Sequence, residues 1–321
     1  MKNMRTKHLA SITGARRHRC RFDTRSFPIT SIDHVHGTFG ELLQGYTFDS
    51  EKVHHFLFTS PIVEYQAKAY LTPRGNLNQN LTQDKTKALS MLHALADEMN
   101  IELDDLVLHI KSNIPTGKGC SSSTADIMAT ALAFYDSFFP QVPLPVASAL
   151  ISHIAMTLER GEYLLHPGIT ACAQEEYKAI KKYHTDMGLT VVGVDEGGKV
   201  DTVKFHATHP PRKEYSETYQ KLFDQMDAAL VKNDCWEVGR IATASSELHQ
   251  KVLPKRSYDY TLRLMDEVHA YGVCVAHSGT MIGILISSDD STLETKVNYI
   301  RKKLCTLPGI TPLPTLTILE S

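Results

Sequence analysis

The chain has 321 residues, of which 42% are hydrophobic and 22% charged, a composition typical of a soluble globular protein long enough for two modest domains. Its formal net charge of −2 gives no general reason to expect nucleic acid or an acidic membrane as a partner. The six cysteines include no Cys-x-x-Cys pair, so neither a zinc site nor a disulfide framework is expected. No apolar run approaches the ~18 residues of a membrane span, and a reduced, cytoplasmic setting fits these features best.

Residues 1–27 form a basic segment, with eight lysines and arginines against one aspartate. The segment lacks the apolar core of a signal peptide, so secretion is not expected. We expect a flexible or loosely docked extension, with a nucleic-acid-binding arm or a targeting peptide as the alternatives.

The next hundred residues alternate between strand-like and helix-like patterns. A strand-like pattern from Ile29 leads to the segment 36–45, whose glycines predict a tight turn before a short helix or strand. Two apolar runs, Phe56–Phe58 and Pro61–Leu71, predict paired strands. Apolar residues at helical spacing predict a helix over 83–99, and Leu106–Lys111 predicts a strand that leads into the following loop.

The stretch Ile114-Pro-Thr-Gly-Lys-Gly-Cys-Ser-Ser-Ser-Thr-Ala-Asp126 is a loop that turns into a helix. Its small residues let the backbone approach a ligand, and a helix start offers unpaired N–H groups with positive partial charge. Phosphate is the usual ligand of such a site, and the alternative is an ordinary Gly/Ser turn with an N-cap. The segment is not a Walker P-loop, because Lys118 precedes the last glycine.

The second half of the chain begins with a predicted helix at Leu144–Leu158, followed by the acidic segment Glu159-Arg-Gly-Glu162. We place a domain boundary near residue 187. The turn Asp195-Glu-Gly-Gly198 predicts a hairpin between strands at 188–194 and 199–206. Helices are predicted at 213–231, 234–250, 257–271 and 292–304, and a last strand at 315–319. Two strand-like runs flank a sharp turn at His277-Ser-Gly-Thr280.

Three of these segments resemble motifs of the GHMP kinases, the superfamily of galactokinase and of homoserine, mevalonate and phosphomevalonate kinases. The order Pro-x-x-x-Gly-x-x-Ser-Ser-x-Ala from Pro115 resembles their nucleotide loop. Gly40-Glu41 matches their first motif, and Ala276-His-Ser-Gly-Thr-x-x-Gly283 matches their third. The longer patterns Gly-Glu-Leu-x-Gln-Gly and Lys118-Gly-x-x-Ser-Ser-Thr-Ala-Asp126 are most similar to the L-threonine kinases of cobalamin side-chain synthesis.

Several residues depart from the family pattern. His36 and Thr38 replace the Pro and Ser usual in the first motif, and Ser121 stands where most members have a third glycine. Glu159 matches the first residue of a Glu-Pro-Thr-Asp-Ser segment in the threonine-kinase branch, and Glu162 falls where its aspartate would be. The extra methylene of a glutamate moves its carboxylate by about 1.5 Å, so this replacement is not silent.

The resemblance covers about residues 30–320 and implies an α+β fold, the two-domain fold of the GHMP kinases. It implies a ribosomal-protein-S5-like, ATP-binding domain at 28–187 and a ferredoxin-like βαββαβ domain at 188–321, with the basic extension at 1–27 in front. The implied reaction transfers the γ-phosphoryl group of ATP, with Mg²⁺, to the side-chain hydroxyl of a small amino acid, first of all L-threonine. The expected partners are nucleotide and a small hydroxy amino acid, and a homodimer is compatible with the resemblance.

The resemblance also implies the site residues. It assigns the triphosphate to Pro115, Thr116, Gly117, Lys118, Gly119, Cys120, Ser121, Ser122 and Ser123. It assigns the acceptor side to His36, Thr38, Glu41, His277, Ser278, Gly279 and Thr280. Catalytic roles fall to Glu41, Glu162 and Ser123, and Mg²⁺ to Ser123 and Glu162, whose oxygens are of the kind that this ion prefers.

Three alternatives stay open. The departures at His36, Thr38 and Glu162 allow another acceptor, such as homoserine or serine. Ser121 and the altered acidic segment allow a homologue that binds nucleotide or an amino acid without catalysis. Binding of nucleic acid through residues 1–27 would be sensitive to salt and lost when those residues are deleted.

Overall fold

The computed structural model describes residues 34–50, 52–74, 84–200 and 208–321, and the elements below belong to these ranges. The basic extension predicted at 1–27 lies outside them. Within the same ranges, no helix combines the length and the apolar character needed to cross a bilayer.

The N-terminal half contains five strands and three helices among its described residues. The strands are β1 (Val35–Phe48), β2 (Val53–Pro73), β3 (Leu106–Ser112), β4 (Thr170–Ala173) and β5 (Lys178–Lys182). The helices are α1 (Thr86–Met99), α2 (Ser122–Phe138) and α3 (Leu144–Leu158). The predicted helical spacing of α1 is confirmed, because its apolar face is buried against the core.

The C-terminal half has the βαββαβ order that the resemblance implied. Its strands are β6 (Leu189–Asp195), β7 (Gly272–Val275), β8 (Met281–Ser287) and β9 (Thr311–Thr317). A 3₁₀ turn (Lys213–Tyr215) and the helices α4 (Ser216–Val231), α5 (Cys235–Gln250) and α6 (Tyr258–Glu267) connect β6 to β7, and α7 (Leu293–Leu304) connects β8 to β9. The strands lie in the order β7-β8-β6-β9, which is the order of a ferredoxin-like layer.

The described strands of both halves join in one antiparallel sheet. Its order is β5-β4-β2-β1-β7-β8-β6-β9, with β3 paired to β2. The halves meet where β1 pairs with β7, at Glu41 opposite Val275. The first and third sequence motifs are therefore adjacent in space.

Two hydrophobic clusters lie on this sheet. The larger is formed mainly by the N-terminal half but also contains side chains of α4 and α5. The smaller lies between the C-terminal strands and the helices α6 and α7. Because the larger cluster contains residues from before and after residue 187, it does not separate two domains there. The domain boundary near residue 187 stays a prediction.

Two predictions in the first half are wrong. The apolar runs within 53–72 are not paired strands but parts of one strand, β2, which pairs with β1 on one edge and with β4 and β3 on the other. The segment 36–45 is not a turn but belongs to β1, whose pairing with β2 is shifted three times. Gly40 serves close packing here, because a Cβ on it would lie 2.4 Å from the carbonyl oxygen of Val275.

Other differences are smaller. The chain turns at Gly197 and Gly198, whose φ angles are +80° and +76°, but β6 pairs with β8 and β9. Most of the second strand predicted for a hairpin at 199–206 lies outside the described residues, because these exclude 201–207. Helix α6 ends at Glu267, before His269 takes a φ of +52°. Strands β4 and β5 are not predicted from the sequence, because their four and five residues are too few to show a clear alternation of apolar and polar positions.

Candidate active site

The loop between β3 and α2 turns its carbonyl groups toward the rest of the protein. The carbonyl oxygens of residues 117–120 accept, at 3.1–3.4 Å, hydrogen bonds from the N–H groups of Val200, Thr280, Gly40 and Thr38, in that order. Because the N–H of a trans peptide points opposite to its C=O, the N–H groups of residues 118–121 point away from these neighbours. Gly117 and Gly119 permit this path with φ angles of +73° and +82°. The loop thus presents a row of N–H dipoles to an anion.

Ser121 joins this loop to α2 in a conformation that favours glycine. Its φ is +55°, which costs a non-glycine residue about 1–2 kcal/mol. Its side chain does not cap the helix. The helix begins at Ser122, so the positive end of its dipole lies where the loop ends.

The hydroxyl of Ser121 instead contacts a buried carboxylate. Ser121 Oγ donates to Glu162 Oε1, and Thr38 Oγ1 lies 3.4 Å from the same oxygen and 3.1 Å from Ser121 Oγ. Glu162 is only 4% exposed. Its burial, followed by the charge of Glu41, raises the pKa of Glu162 to about 8, although the two hydroxyl groups oppose this shift. Glu162 is therefore suited to hold or take up a proton near neutral pH.

A second carboxylate, that of Glu159 at the end of α3, contacts the first turn of α2. Ser123 Oγ donates to Glu159 Oε2 and Thr124 Oγ1 to Glu159 Oε1, both at 2.8 Å. The ammonium group of Lys87 lies 2.5 Å from Oε2. The hydroxyl of Ser123 thus donates a hydrogen bond to Glu159. The resemblance instead assigns Mg²⁺ to Ser123 together with Glu162. A hydroxyl and a carboxylate fit Mg²⁺, which takes few protein ligands and usually keeps several waters.

Glu41 and His277 form a buried pair where the two halves meet. Glu41 Oε2 accepts the backbone N–H of His277 at 3.1 Å and lies 2.7 Å from its Nδ1. His277 Nε2 lies 3.1 Å from Ser245 Oγ, which itself accepts the backbone N–H of Gln44 at 3.3 Å. Nδ1 of the ring is thus within hydrogen-bond distance of the Glu41 carboxylate, and Nε2 is within hydrogen-bond distance of the Ser245 hydroxyl. The pair fixes Glu41 in one orientation.

A cavity of about 260 Å³ lies beside His277. The ring of His249 lies 4.5 Å from the ring of His277 at its wall. Its lining also includes polar and cationic side chains, among them Gln44, Tyr46, Arg212 and Lys251. Such a lining suits a small polar ligand with a negative group.

Lys118 is paired with the C-terminal half. Its Nζ lies 2.6 Å from Asp195 Oδ2 and donates to the carbonyl oxygen of Gly198 at 2.7 Å. Thr280 Oγ1 donates to Asp195 Oδ1 at 2.6 Å. Partial burial alone would raise the pKa of Asp195, but the bonds from Lys118 and Thr280 hold it below its usual value. Lys118 must leave Asp195 before it can reach a phosphate bound to the loop.

The third motif packs directly under the phosphate loop, and Gly279 makes this contact possible. A Cβ on Gly279 would lie 1.9 Å from the carbonyl oxygen of Lys118 and 2.6 Å from the amide nitrogen of Gly119. We expect Gly279→Ala to displace the loop, to destabilise the fold by about 1–3 kcal/mol, and to weaken nucleotide binding. Thermal unfolding and a nucleotide titration measure both effects. Ser291→Ala, a change at an exposed serine away from the site, is the control, and equal behaviour of the two variants would contradict this packing.

Not all predicted residues meet in the site. His36 Nδ1 lies 2.9 Å from the carbonyl oxygen of Ile62, so this side chain takes part in the β1–β2 contact. The side chain of Cys120 is buried beside Met281, and burial raises the pKa of its thiol, so the residue offers the loop only its backbone. The backbone places the remaining predicted residues in the loop, at the helix start and in the β7–β8 turn: Pro115, Thr116, Ser122 and Ser278.

Several residues of the site have no role predicted from the sequence: Lys87, Glu159, Asp195, Ser245 and Lys255. Glu159 stands in the acidic segment, so its spacing from Glu162 was the available signal. Lys255 carried no signal, yet it is 5% exposed and donates to the carbonyl oxygen of Gly279 at 2.7 Å. Burial lowers the pKa of Lys255 to about 8, against the opposing charges of Glu196 and Glu41.

Comparisons with known proteins find similarity to small-molecule kinases. The family model for the N-terminal domain of GHMP kinases matches residues 86–170. An L-threonine kinase of Citrobacter freundii is 25% identical over 267 residues, which are 82% of this chain and 87% of that protein. An L-threonine kinase of Salmonella typhimurium is 23% identical over 254 residues, 77% and 80% of the two chains.

Solved structures show the same fold. Mevalonate kinase of L. major in complex with R-mevalonate has a TM-score of 0.65 at 16% identity, covering 91% of this chain and 97% of that one. Homoserine kinase from Cytophaga hutchinsonii has a TM-score of 0.59 at 14% identity, covering 92% and 98%. Residues 86–170 of this chain therefore match the N-terminal domain of GHMP kinases, and the chain has the α+β fold of these kinases.

Proposed function

We propose that this protein is an ATP-dependent kinase that phosphorylates the side-chain hydroxyl of a small amino acid, with L-threonine as the leading acceptor. The observation that carries the proposal is the geometry of the loop between β3 and α2. The carbonyl groups of residues 117–120 accept hydrogen bonds from the rest of the protein, so the N–H groups of the loop are left facing a ligand. The loop ends at a helix start, beside two carboxylates that carry different hydrogen bonds. Phosphoryl transfer needs this combination of positioning and charge stabilisation more than it needs covalent chemistry.

The loop and the first turn of α2 are proposed to hold the triphosphate. The N–H groups of residues 118–121 bind its oxygens, and Lys118 adds a positive charge once it leaves Asp195. Ser123 and Glu159 are the residues that would hold Mg²⁺, in place of the pair Ser123 and Glu162. When bound, the ion would neutralise negative charge on the phosphates. In this structure, the ammonium group of Lys87 compensates the negative charge of Glu159.

Glu162 is proposed to receive the proton of the acceptor hydroxyl. Glu162 contacts Ser121 at the end of the loop, whereas Glu159 contacts Ser123 on the helix. Burial raises the pKa of Glu162 into the range useful at neutral pH. Glu41 and His277 border the acceptor side, where His277 also lines the cavity. Because the transition state of such transfers is largely dissociative, the proton needs to leave only late, and a strong base is not required.

L-threonine is proposed as the acceptor because the two curated relatives with this name match most of the chain. Homoserine or serine is the alternative, motivated by the residues that depart from the threonine-kinase pattern: His36, Thr38 and Glu162. The role in cobalamin side-chain synthesis, implied by the same resemblance, stays a prediction.

The test is a phosphoryl-transfer assay with Mg-ATP and a panel of L-threonine, L-serine, L-homoserine and their D-forms. ADP and the phosphorylated product are followed together, so that hydrolysis of ATP is separated from transfer. We expect O-phospho-L-threonine as the main product. Formation of ADP with another phospho-amino acid would keep the kinase and change the acceptor.

A non-catalytic, ligand-binding homologue is the second candidate. The strained serine at position 121 in place of a glycine is the observation that favours it. Tight nucleotide binding without turnover of any acceptor in the same panel would replace the kinase proposal with this one.

A further inference from the structure

Three residues that depart from the family pattern lie in mutual contact. Thr38, Ser121 and Glu162 come from three separate motifs of the sequence. In the structure, Oγ of Ser121 and Oγ1 of Thr38 lie 3.1 Å apart, and both contact Oε1 of Glu162. Each departure is thus next to the other two.

The segment that carries Glu162 packs closely against its neighbours, because a Cβ on the preceding Gly161 would lie 2.1 Å from the hydroxyl of Tyr177 and 2.7 Å from Oγ1 of Thr124. The side chain of Glu162 extends to the loop and to β1, where its Oε1 contacts Ser121 and Thr38. The side chain of an aspartate would end about 1.5 Å short of this position. The two hydroxyl groups lie at the end of this extension.

The two carboxylate oxygens of Glu162 differ in their hydrogen bonds. Oε1 accepts from Ser121 and Thr38. Oε2 is buried and has no hydrogen-bond partner within the part of the chain that the structure describes. A buried carboxylate oxygen without a partner is costly unless a ligand supplies one.

We propose that Ser121 and Thr38 are positioning residues that fix Oε1 of Glu162 and leave Oε2 to accept the proton of the acceptor hydroxyl. This inference rests on the proposed kinase function. The acceptor oxygen forms a bond to the γ-phosphorus, and the bond from that phosphorus to the bridging oxygen of ADP breaks, with its electron pair staying on ADP. The hydroxyl proton passes to Oε2, and solvent later removes it from the carboxylic acid.

The serine and the glutamate then work as a pair in place of the glycine and aspartate usual in relatives. Ser121 keeps its strained φ because its hydroxyl is needed on Glu162, not on the nucleotide. If Ser121 and Glu162 work as a pair, replacing both by glycine and aspartate should cost less activity than the two single replacements predict. A serine that bound phosphate would give a different result, because its loss would weaken nucleotide binding.

A double-mutant cycle in kcat tests the pairing. Ser121→Gly removes the hydroxyl and suits the backbone, and we expect kcat to fall about 10- to 100-fold with KM for ATP unchanged. Glu162→Asp is expected to lower kcat by about 100-fold or more. The kcat of the double variant Ser121→Gly/Glu162→Asp is expected to be at least about 10-fold higher than the value obtained by multiplying the two single losses.

Thr38 offers a matched pair of variants. Thr38→Ser keeps the hydroxyl and is expected to retain most of kcat, whereas the nearly isosteric Thr38→Val is expected to lose about 10-fold. Nucleotide affinity, measured by calorimetric titration with ADP, should match the wild type in every variant. This second measurement separates loss of positioning from loss of the fold.

Other results would overturn the inference. Single losses that multiply in the double variant would show that Ser121 and Glu162 act independently, while turnover of the wild type keeps the kinase proposal. A Ser121→Gly variant with normal kcat and weakened ADP binding would assign the hydroxyl to the nucleotide. Absence of transfer by the wild type to any acceptor would remove both the kinase proposal and this inference.

Discussion

Glu162→Gln is expected to lower kcat by about 100-fold or more while leaving the affinity for ADP unchanged. Glutamine has the same shape and can still accept hydrogen bonds from Ser121 and Thr38 through its carbonyl oxygen. It cannot take up a proton, so the variant removes the proposed proton acceptor without removing its contacts. Steady-state kinetics with the preferred acceptor and a calorimetric titration with ADP measure the two quantities.

The same variant is expected to change the dependence of activity on pH. Burial and the nearby charge of Glu41 raise the pKa of Glu162 to about 8, and a proton acceptor works only when it is deprotonated. The kcat of the wild type should therefore rise with pH through about 8, and Glu162→Gln should lose this rise. A rise of equal size in the variant would show that another group causes it.

Stability gives a readout that does not depend on activity. A folded-state pKa raised above the unfolded value of 4.5 means that stability is fully present below that pH and is lost as the pH rises through about 8. The difference in Tm between Glu162→Gln and the wild type should therefore shift in favour of the variant across this window. Glu176→Gln, a change at an exposed glutamate, is the control and should show no such trend.

Glu159→Gln and Ser123→Ala are expected to lower activity by about 100- to 1,000-fold at low Mg²⁺ and to raise the Mg²⁺ concentration needed for half-maximal activity. The reason is that the hydroxyl of Ser123 lies on the carboxylate of Glu159 at the start of α2. Both groups are hard oxygen donors, and each variant removes one of them. Titration of MgCl₂ at fixed ATP measures the effect, and higher Mg²⁺ should restore part of the activity.

A matched control for the serine lies on the same helix. Ser137 Oγ donates to the carbonyl oxygen of Ala133, so Ser137→Ala makes the same change away from the site. This control should need no more Mg²⁺ than the wild type. If Glu162→Gln raised the Mg²⁺ requirement and Glu159→Gln did not, the ion would be held by Ser123 and Glu162, as the sequence alone suggested.

The sequence by itself determined the resemblance to GHMP kinases, the fold class and the order of most elements. Local signals were sufficient there, because the loop 114–126, the helical periodicity of 83–99 and the glycines near residue 279 each depend on residues close in the chain. The sequence failed at β1 and β2, where glycine and serine serve close packing of strands instead of turns. Such packing depends on partners distant in sequence.

Only the tertiary structure decided how the carboxylates divide between their neighbours. Glu159 and Glu162 are three residues apart in the chain. Glu159 accepts a hydrogen bond from Ser123, whereas Glu162 accepts hydrogen bonds from Ser121 and Thr38. The pairing of Lys118 with Asp195 and the burial of Lys255 under Gly279 also join segments far apart in the chain. Spacing along the chain cannot encode these contacts, because they depend on how the two halves meet at the junction of β1 and β7.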